Sequence, residues 1–242
     1  MSEPSTAEIR DQMVVSMARL LSNAERVFHG VASPMPMVAT LLAKATHAPD
    51  LVYLSIAGGV DAEPEELPVS TVDPRLIHGA RSMVTLTDLF DLAASGRLDV
   101  AFLSGVQIDG RGRINMSAIG DFARPKVRLP GGAGSAAILP RARRTVLWRT
   151  RHDRRVFVET PDFVTASGNV GQVVTPLCIF ARSGERLVVA SRHRWATPEQ
   201  IREQTGFSVE CDDSTPVTDD PTERELDALR RIDPAGVTLS EF

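Results

Sequence analysis

Residues 26–55, RVFHGVASPMPMVATLLAKATHAPDLVYLS, decide the fold class. The stretch opens with a short β-like run over residues 26–31. Pro34 and Pro36 then begin a helix that runs to Thr46, because the first helical turn has no partner for a backbone N–H and tolerates proline there. Val38, Leu41, Leu42 and Ala45 recur at helical spacing and supply its apolar face. Between Pro49 and Gly58, residues 51–55 form a second short apolar run, read as a buried strand. Strand, helix and strand in immediate succession are the pattern of an α/β protein.

The same mixture continues on both sides. Upstream, Ser5 and Glu8 have the spacing of a capping box, and Ile9, Met13, Met17 and Leu20 follow at helical intervals. Downstream, Thr87 is the expected cap of a helix over residues 88–95, stopped by Gly96. Strands are expected over residues 100–103, 113–119, 145–148, 155–158, 173–180 and 187–190, with turns at Asp109-Gly110 and Ser183-Gly184. A helix over residues 198–205 ends at Gly206, and a last helix over 223–231 carries Leu226, Leu229 and Ile232 as its stripe. With 242 residues, 43% of them hydrophobic, the chain can bury a substantial core. It reads as one α/β domain over residues 1–242, with a mixed central sheet flanked by helices.

Composition narrows the function. Lys and Arg number 27 against 31 Asp and Glu, a net charge of -4, which argues against a dedicated nucleic-acid binder. The polar, acidic start lacks the basic head and apolar stretch of a signal peptide, and no apolar run approaches the ~20 residues of a membrane helix. A cytoplasmic protein with no membrane partner is the expectation. Cys178 and Cys211 form no CxxC pair, and His29, His47, His78, His152 and His193 share no ligand spacing, so no metal is expected. No GxSxG elbow is present. Glu63, Glu65 and Glu66 read as a solvated acidic loop rather than as catalytic acids.

Three segments carry candidate chemistry. LPGGAGSAA, residues 129–137, can bring backbone amides close to an anion or oxyanion; the plainer alternative is a loop before a helix. Arg141, Arg143, Arg144, Arg149, Arg151, Arg154 and Arg155 suit a phosphate cradle, or else a solvated surface around two strands. In FLSGVQIDGRGRIN, residues 102–115, Gln107, Asp109 and Asn115 follow a buried strand. Carboxamides there can orient a bound carbonyl, whereas Asp109-Gly110 can simply reverse the chain.

These segments also resemble, in order, the beta-type subunit of the family I coenzyme A transferases of the glutaconate CoA-transferase kind. The resemblance rests on GVASPM at 30–35, ATHAPDLV at 45–52, residues 102–115, PKVRLPGGAG at 125–134 and RRVFVETPDFVT at 154–165. It implies a mostly parallel central sheet of the CoA-transferase type and a partner subunit of the alpha type. It also implies an acyl-CoA substrate, with coenzyme A entering as part of that substrate and no bound cofactor. In the family a beta-subunit glutamate attacks the acyl-CoA, a nucleophilic mechanism, and the glycine loop supports the oxyanion.

The resemblance breaks at that glutamate. The family's Glu-Ser-Gly corresponds to Ile56-Ala57-Gly58 in LSIAGGVD, residues 54–61, and no acid occurs between Asp50 and Asp61. Glutamate-less relatives include a decarboxylase of methylglutaconyl-CoA and ring-cleaving hydrolases of steroid degradation. DLVYL at 50–54 and RWATPEQI at 194–201 resemble the decarboxylase more. The resemblance therefore implies an acyl pocket at Ile56, Ala57 and Gly58, an oxyanion loop at Gly131, Gly132, Ala133 and Gly134, and a substrate-orienting Gln107. Arg141 and Arg143 are the candidates for the coenzyme A phosphates. The reaction read first is a decarboxylation; CoA transfer, C–C hydrolysis with the acid on the alpha subunit, and a non-catalytic structural role are the alternatives.

Overall fold

The computed structural model describes residues 3–242, which group into two compact units, Pro4–Phe102 with Asp220–Phe242, and Leu103–Asp219. The α/β class holds, with parallel pairing at the sheet centres and antiparallel pairing at their edges.

The first unit begins with helix α1 (Thr6–Arg19). Ser5 caps it through the expected capping box with Glu8. Residues 12–18 of α1 are all buried, so the second half of this helix is covered on every side, while its first turn is exposed. Strand β1 (Arg26–His29) leads to α2 (Pro34–Thr46) and β2 (Val52–Leu54), the strand–helix–strand unit read from the sequence. The short strands β3 (Gly59–Val60) and β4 (Ser82–Met83), helix α3 (Leu86–Ala94) and strand β5 (Val100–Leu103) follow. β1 lies between β5 and β2, parallel to both, while β3 and β4 continue antiparallel. A C-terminal helix, Glu223–Ile232, completes the unit.

The core of this unit comes from the strands (Val27, Phe28, Tyr53, Leu54, Phe102) and from Met35, Val38, Ala39 and Leu42 of α2. Each such large side chain contributes roughly 1.5–3 kcal/mol by burial. Leu41 and Ala45 stand outside this face: Leu41 is half-buried and Ala45 exposed, so the buried stripe of α2 is rotated from the expected one. The expected cap at Thr87 is also displaced. Thr85 caps α3, through a capping box with Asp88.

The second unit opens with two small hairpins: β6 (Gln107–Ile108) with β7 (Ile114–Asn115), and β8 (Ala118–Ile119) with β9 (Val127–Arg128). The strand expected over residues 113–119 is thus two strands belonging to different hairpins. A short helix α4 (Ser135–Ile138) precedes β10 (Arg144–Trp148), which runs parallel to β11 (Val170–Val174). β12 (Cys178–Ser183) and β13 (Arg186–Arg192) add an antiparallel hairpin, and α5 (Pro198–Gln204) follows, capped by Thr197. The run expected as one strand over 173–180 reverses at residues 175–177, where the Thr175 hydroxyl accepts from the amides of Leu177 and Cys178. Residues 155–158 form a turn with a single bridge at Phe157, because Asp153 accepts from the amides of Arg155 and Val156 and holds the chain in a bend.

Candidate functional site

The first unit supplies a tight turn where parallel β2 ends, the kind of strand terminus at which open α/β sheets bind ligands. The Ser55 amide donates to the Gly59 carbonyl (2.9 Å), and the Gly58 amide to the Ser55 carbonyl (3.0 Å). The Ser55 hydroxyl accepts from the Ala57 amide at 3.0 Å. Ile56 and Ala57 sit half-buried on this turn, and Gly58 is buried. Gly58 has φ +105°, and a Cβ there would lie 2.9 Å from the Val84 carbonyl oxygen, so the turn requires glycine.

The turn itself carries no carboxylate. Asp61, the first acid after it, is held by Lys44 Nζ (2.7 Å) and by the Tyr53 amide (2.9 Å). Glu63, Glu65 and Glu66 are exposed, as expected, and border a cavity of about 610 Å³ with Tyr53, Arg81 and Arg231. The half-buried aliphatic side chain of Ile56 can shape a pocket and exclude water; it cannot attack an acyl group.

Beneath the turn lies a buried polar group that pattern reading missed. His29 Nε2 lies 2.8 Å from Tyr53 Oη, and His29 Nδ1 lies 2.9 Å from Ser33 Oγ. Burial lowers the His29 pKa to about 4 and pushes the Tyr53 phenol above its ordinary value. The available signal is local: a histidine and a tyrosine among the apolar residues of two neighbouring strands.

The second unit carries the glycine loop. The Gly131 amide donates to the Met116 carbonyl (2.8 Å) and the Ser135 amide to that of Gly132 (2.7 Å). The amides of Gly132, Ala133 and Gly134 donate to no group among the described residues. Gly131 has φ +93° and Ala133 φ +43°, left-handed conformations of the kind found in anion-binding backbone nests. A Cβ on Gly132 would meet Thr165 Cγ2 at 2.5 Å.

Gln107 is engaged within the fold. Its Oε1 accepts from Asn115 Nδ2 (2.7 Å) and the Asp162 amide (2.9 Å), and its Nε2 donates to Asp162 Oδ2 (3.0 Å). One N–H of its carboxamide is left for a ligand; the rest clamps the β6–β7 hairpin to residue 162. Asp109 does the turn chemistry open to it, accepting from the amides of Arg111 and Arg113 (both 2.9 Å) and from Arg113 Nε (2.5 Å).

The arginine run is divided. Arg141 and Arg143 are exposed. Arg151 pairs with Asp153 (2.6 Å), and Arg154 donates to the carbonyls of Glu203 and Thr205. Among the described residues no group of three metal-ligating side chains occurs, and no helix is long and apolar enough to cross a membrane.

Comparison with known proteins follows the same lines. The coenzyme A transferase family model matches residues 10–204. The chain is 35% identical to a subunit of 3-oxoadipate CoA-transferase from Pseudomonas knackmussii, over 96% of this chain and 95% of that protein. Among solved structures it is similar to the decarboxylase AibA/AibB, with TM-score 0.90, 34% identity and coverage of 96% of this chain and 98% of that one. It is also similar to glutaconate coenzyme A-transferase from Acidaminococcus fermentans, with TM-score 0.84, 25% identity and coverage of 96% of each chain. The chain belongs to the coenzyme A transferase family.

Proposed function

We propose that this chain is the beta-type subunit of a heteromeric enzyme that works on an acyl-CoA thioester without a beta-subunit nucleophile, by decarboxylating an unsaturated dicarboxyl-CoA. The observation that carries the reading is Ile56 on the turn after β2, in a stretch with no acid between Asp50 and Asp61 and with Asp61 already paired. Identity of 34% to the decarboxylase AibA/AibB supports it.

The chemistry is consistent with those residues. An apolar pocket wall leaves a substrate carboxylate poorly solvated relative to neutral CO2. As the carbon–carbon bond breaks, its electron pair delocalises through the double bond onto the thioester carbonyl, and the product carbon then takes a proton from water; the unengaged amides of Gly132, Ala133 and Gly134 are the candidates for supporting the transient oxyanion. The exposed Arg141 and Arg143 are the candidates for the coenzyme A phosphates.

A second reading, transfer of CoA between carboxylic acids, is favoured by the 35% identity to the 3-oxoadipate CoA-transferase chain. The test is co-purification with an alpha-type partner and incubation with unsaturated dicarboxyl-CoA esters. CO2 release is the expected result. Acyl exchange with acetate would establish the transferase reading, free CoA the hydrolase reading, and no turnover with no CoA binding a structural role. A second arm uses Ile56→Glu: on this reading the restored carboxylate forms an acyl adduct that hydroxylamine traps, and the absence of adduct counts against the placement of residue 56 in the acyl pocket.

A further inference from the structure

The buried contacts around His29 fix more than their distances. Ser33 Oγ donates to the Gly30 carbonyl, which can only accept; Thr71 Oγ1 donates to the same oxygen at 3.1 Å. With its proton committed, the Ser33 hydroxyl turns a lone pair toward His29 Nδ1, 2.9 Å away. Nδ1 must therefore carry the hydrogen, since the other tautomer would set a bare nitrogen against lone pairs. Neutral imidazole has one N–H, so Nε2 is bare and accepts from the Tyr53 hydroxyl at 2.8 Å.

At the other end, Tyr53 stands two residues before Ser55, whose hydroxyl accepts from the Ala57 amide on the turn. The carbonyl end is obligate, so the hydrogen bonds run in one direction: Tyr53 O–H to His29 Nε2, then His29 Nδ1–H to Ser33 and to the Gly30 carbonyl, 3.2 Å away, with Ser33 O–H closing on the same carbonyl. His29, Ser33, Tyr53 and Ser55 are each buried, and breaking a link leaves a buried polar group unpaired.

We propose that His29 and Tyr53 are positioning residues, which lock the end of β2, and with it the turn that follows at residues 55–58, to the loop at residues 30–33 through this one-way chain. The two segments lie at the carboxyl ends of neighbouring parallel strands, with Arg26 opposite Val52 and Phe28 opposite Leu54. The chain therefore sets where Ile56 and the Ala57 amide stand. That this matters for turnover rests on the acyl-pocket reading above; the tautomer and the direction of the chain do not.

The test combines two readouts. On the full chain, long-range 15N–1H spectra of the His29 ring should show a protonated Nδ1 and a bare Nε2 at neutral pH. Tyr53→Phe should move the Ala57 amide signal, and Ser33→Ala should leave the hydrogen on Nδ1, because the Gly30 carbonyl 3.2 Å away still requires it. In the complex with the partner subunit, Tyr53→Phe should lower kcat about tenfold or more with KM changed far less, since small misplacements at a reacting centre are costly. Thr40→Val is the control: it removes one buried hydrogen bond, to the Pro36 carbonyl, elsewhere in the same unit.

A protonated Nε2, or an Ala57 amide indifferent to Tyr53→Phe, overturns the chain. An Ala57 amide that moves while kcat stays, or a kcat loss equalled by Thr40→Val, overturns the positioning role. A wild-type complex that turns over nothing sinks the functional reading instead, and leaves the chain to be judged on the spectra.

Discussion

Gly58 concentrates the demands of the turn after β2. Its φ of +105° is one an L side chain rarely adopts, and its Cβ would press on the Val84 carbonyl oxygen at 2.9 Å. Gly131, at φ +93°, has nothing within 4 Å of the same added atom. Gly58→Ala is expected to cost about 1–3 kcal/mol, strain plus a backbone clash, and Gly131→Ala only about 1 kcal/mol, the strain alone. Urea unfolding midpoints of the two variants check the order. Gln107 gives a third case. Gln107→Ala would strip Asp162 of a side-chain donor and its amide of an acceptor, and is expected to destabilise by about 1–3 kcal/mol, read in the same way. The turn that carries Ile56 is legible in sequence because a short apolar run ends there in two glycines. The clamp made by Gln107 was not, because its partner Asp162 is 55 residues away and no local pattern joins them.

The elements most legible in sequence are those whose boundaries are set by local chemistry. Pro34 fixes the start of α2, and the capping box at Ser5 fixes that of α1. Where two threonines compete, spacing decides: Asp88 lies three residues after Thr85, so Thr85 and not Thr87 closes the box. Apolar runs were less informative, since a run over 173–180 cannot show that Thr175 gathers two amides and folds it into a hairpin.

The C-terminal helix shows how a local signal acquires a distant partner. Glu225 closes the capping box at Thr222 and also receives Arg19 of α1, Nε at 2.8 Å and Nη2 at 2.7 Å. Burial raises the Glu225 pKa, but the Arg19 and Thr222 hydrogen bonds outweigh it and bring the carboxyl down to about 2. Glu225→Ala removes cap and ion pair together and is expected to cost about 1–2 kcal/mol. Glu225→Gln keeps part of the cap and should cost less; thermal unfolding of the pair separates the contributions.

At the scale of the whole molecule, acid should weaken each unit through a buried histidine. Burial holds His29 at about 4 in the first unit. In the second, His152, between Thr175 Oγ1 (2.9 Å) and Thr205 Oγ1 (3.0 Å), is held at about 3 by burial, against a raising influence of Asp153 and with a lowering one from His193. Both lie below the ordinary histidine value of 6.5, so between those limits the unfolded chain binds the extra protons. Stability is complete above about pH 6.5, declines toward pH 4 as His29 is forced to charge, and goes on declining toward pH 3 for His152. Glu225, ordinarily at 4.5, loses its own contribution only from there down to about 2, so the first part of the decline belongs to the histidines. The slope approaches about 1.4 kcal/mol per pH unit for each histidine. Urea unfolding at several pH values from neutral to about 4.5 measures it, and His29→Gln with His152→Gln should flatten the curve there. A wild-type curve already flat across that range would mean that the buried imidazoles are not held neutral.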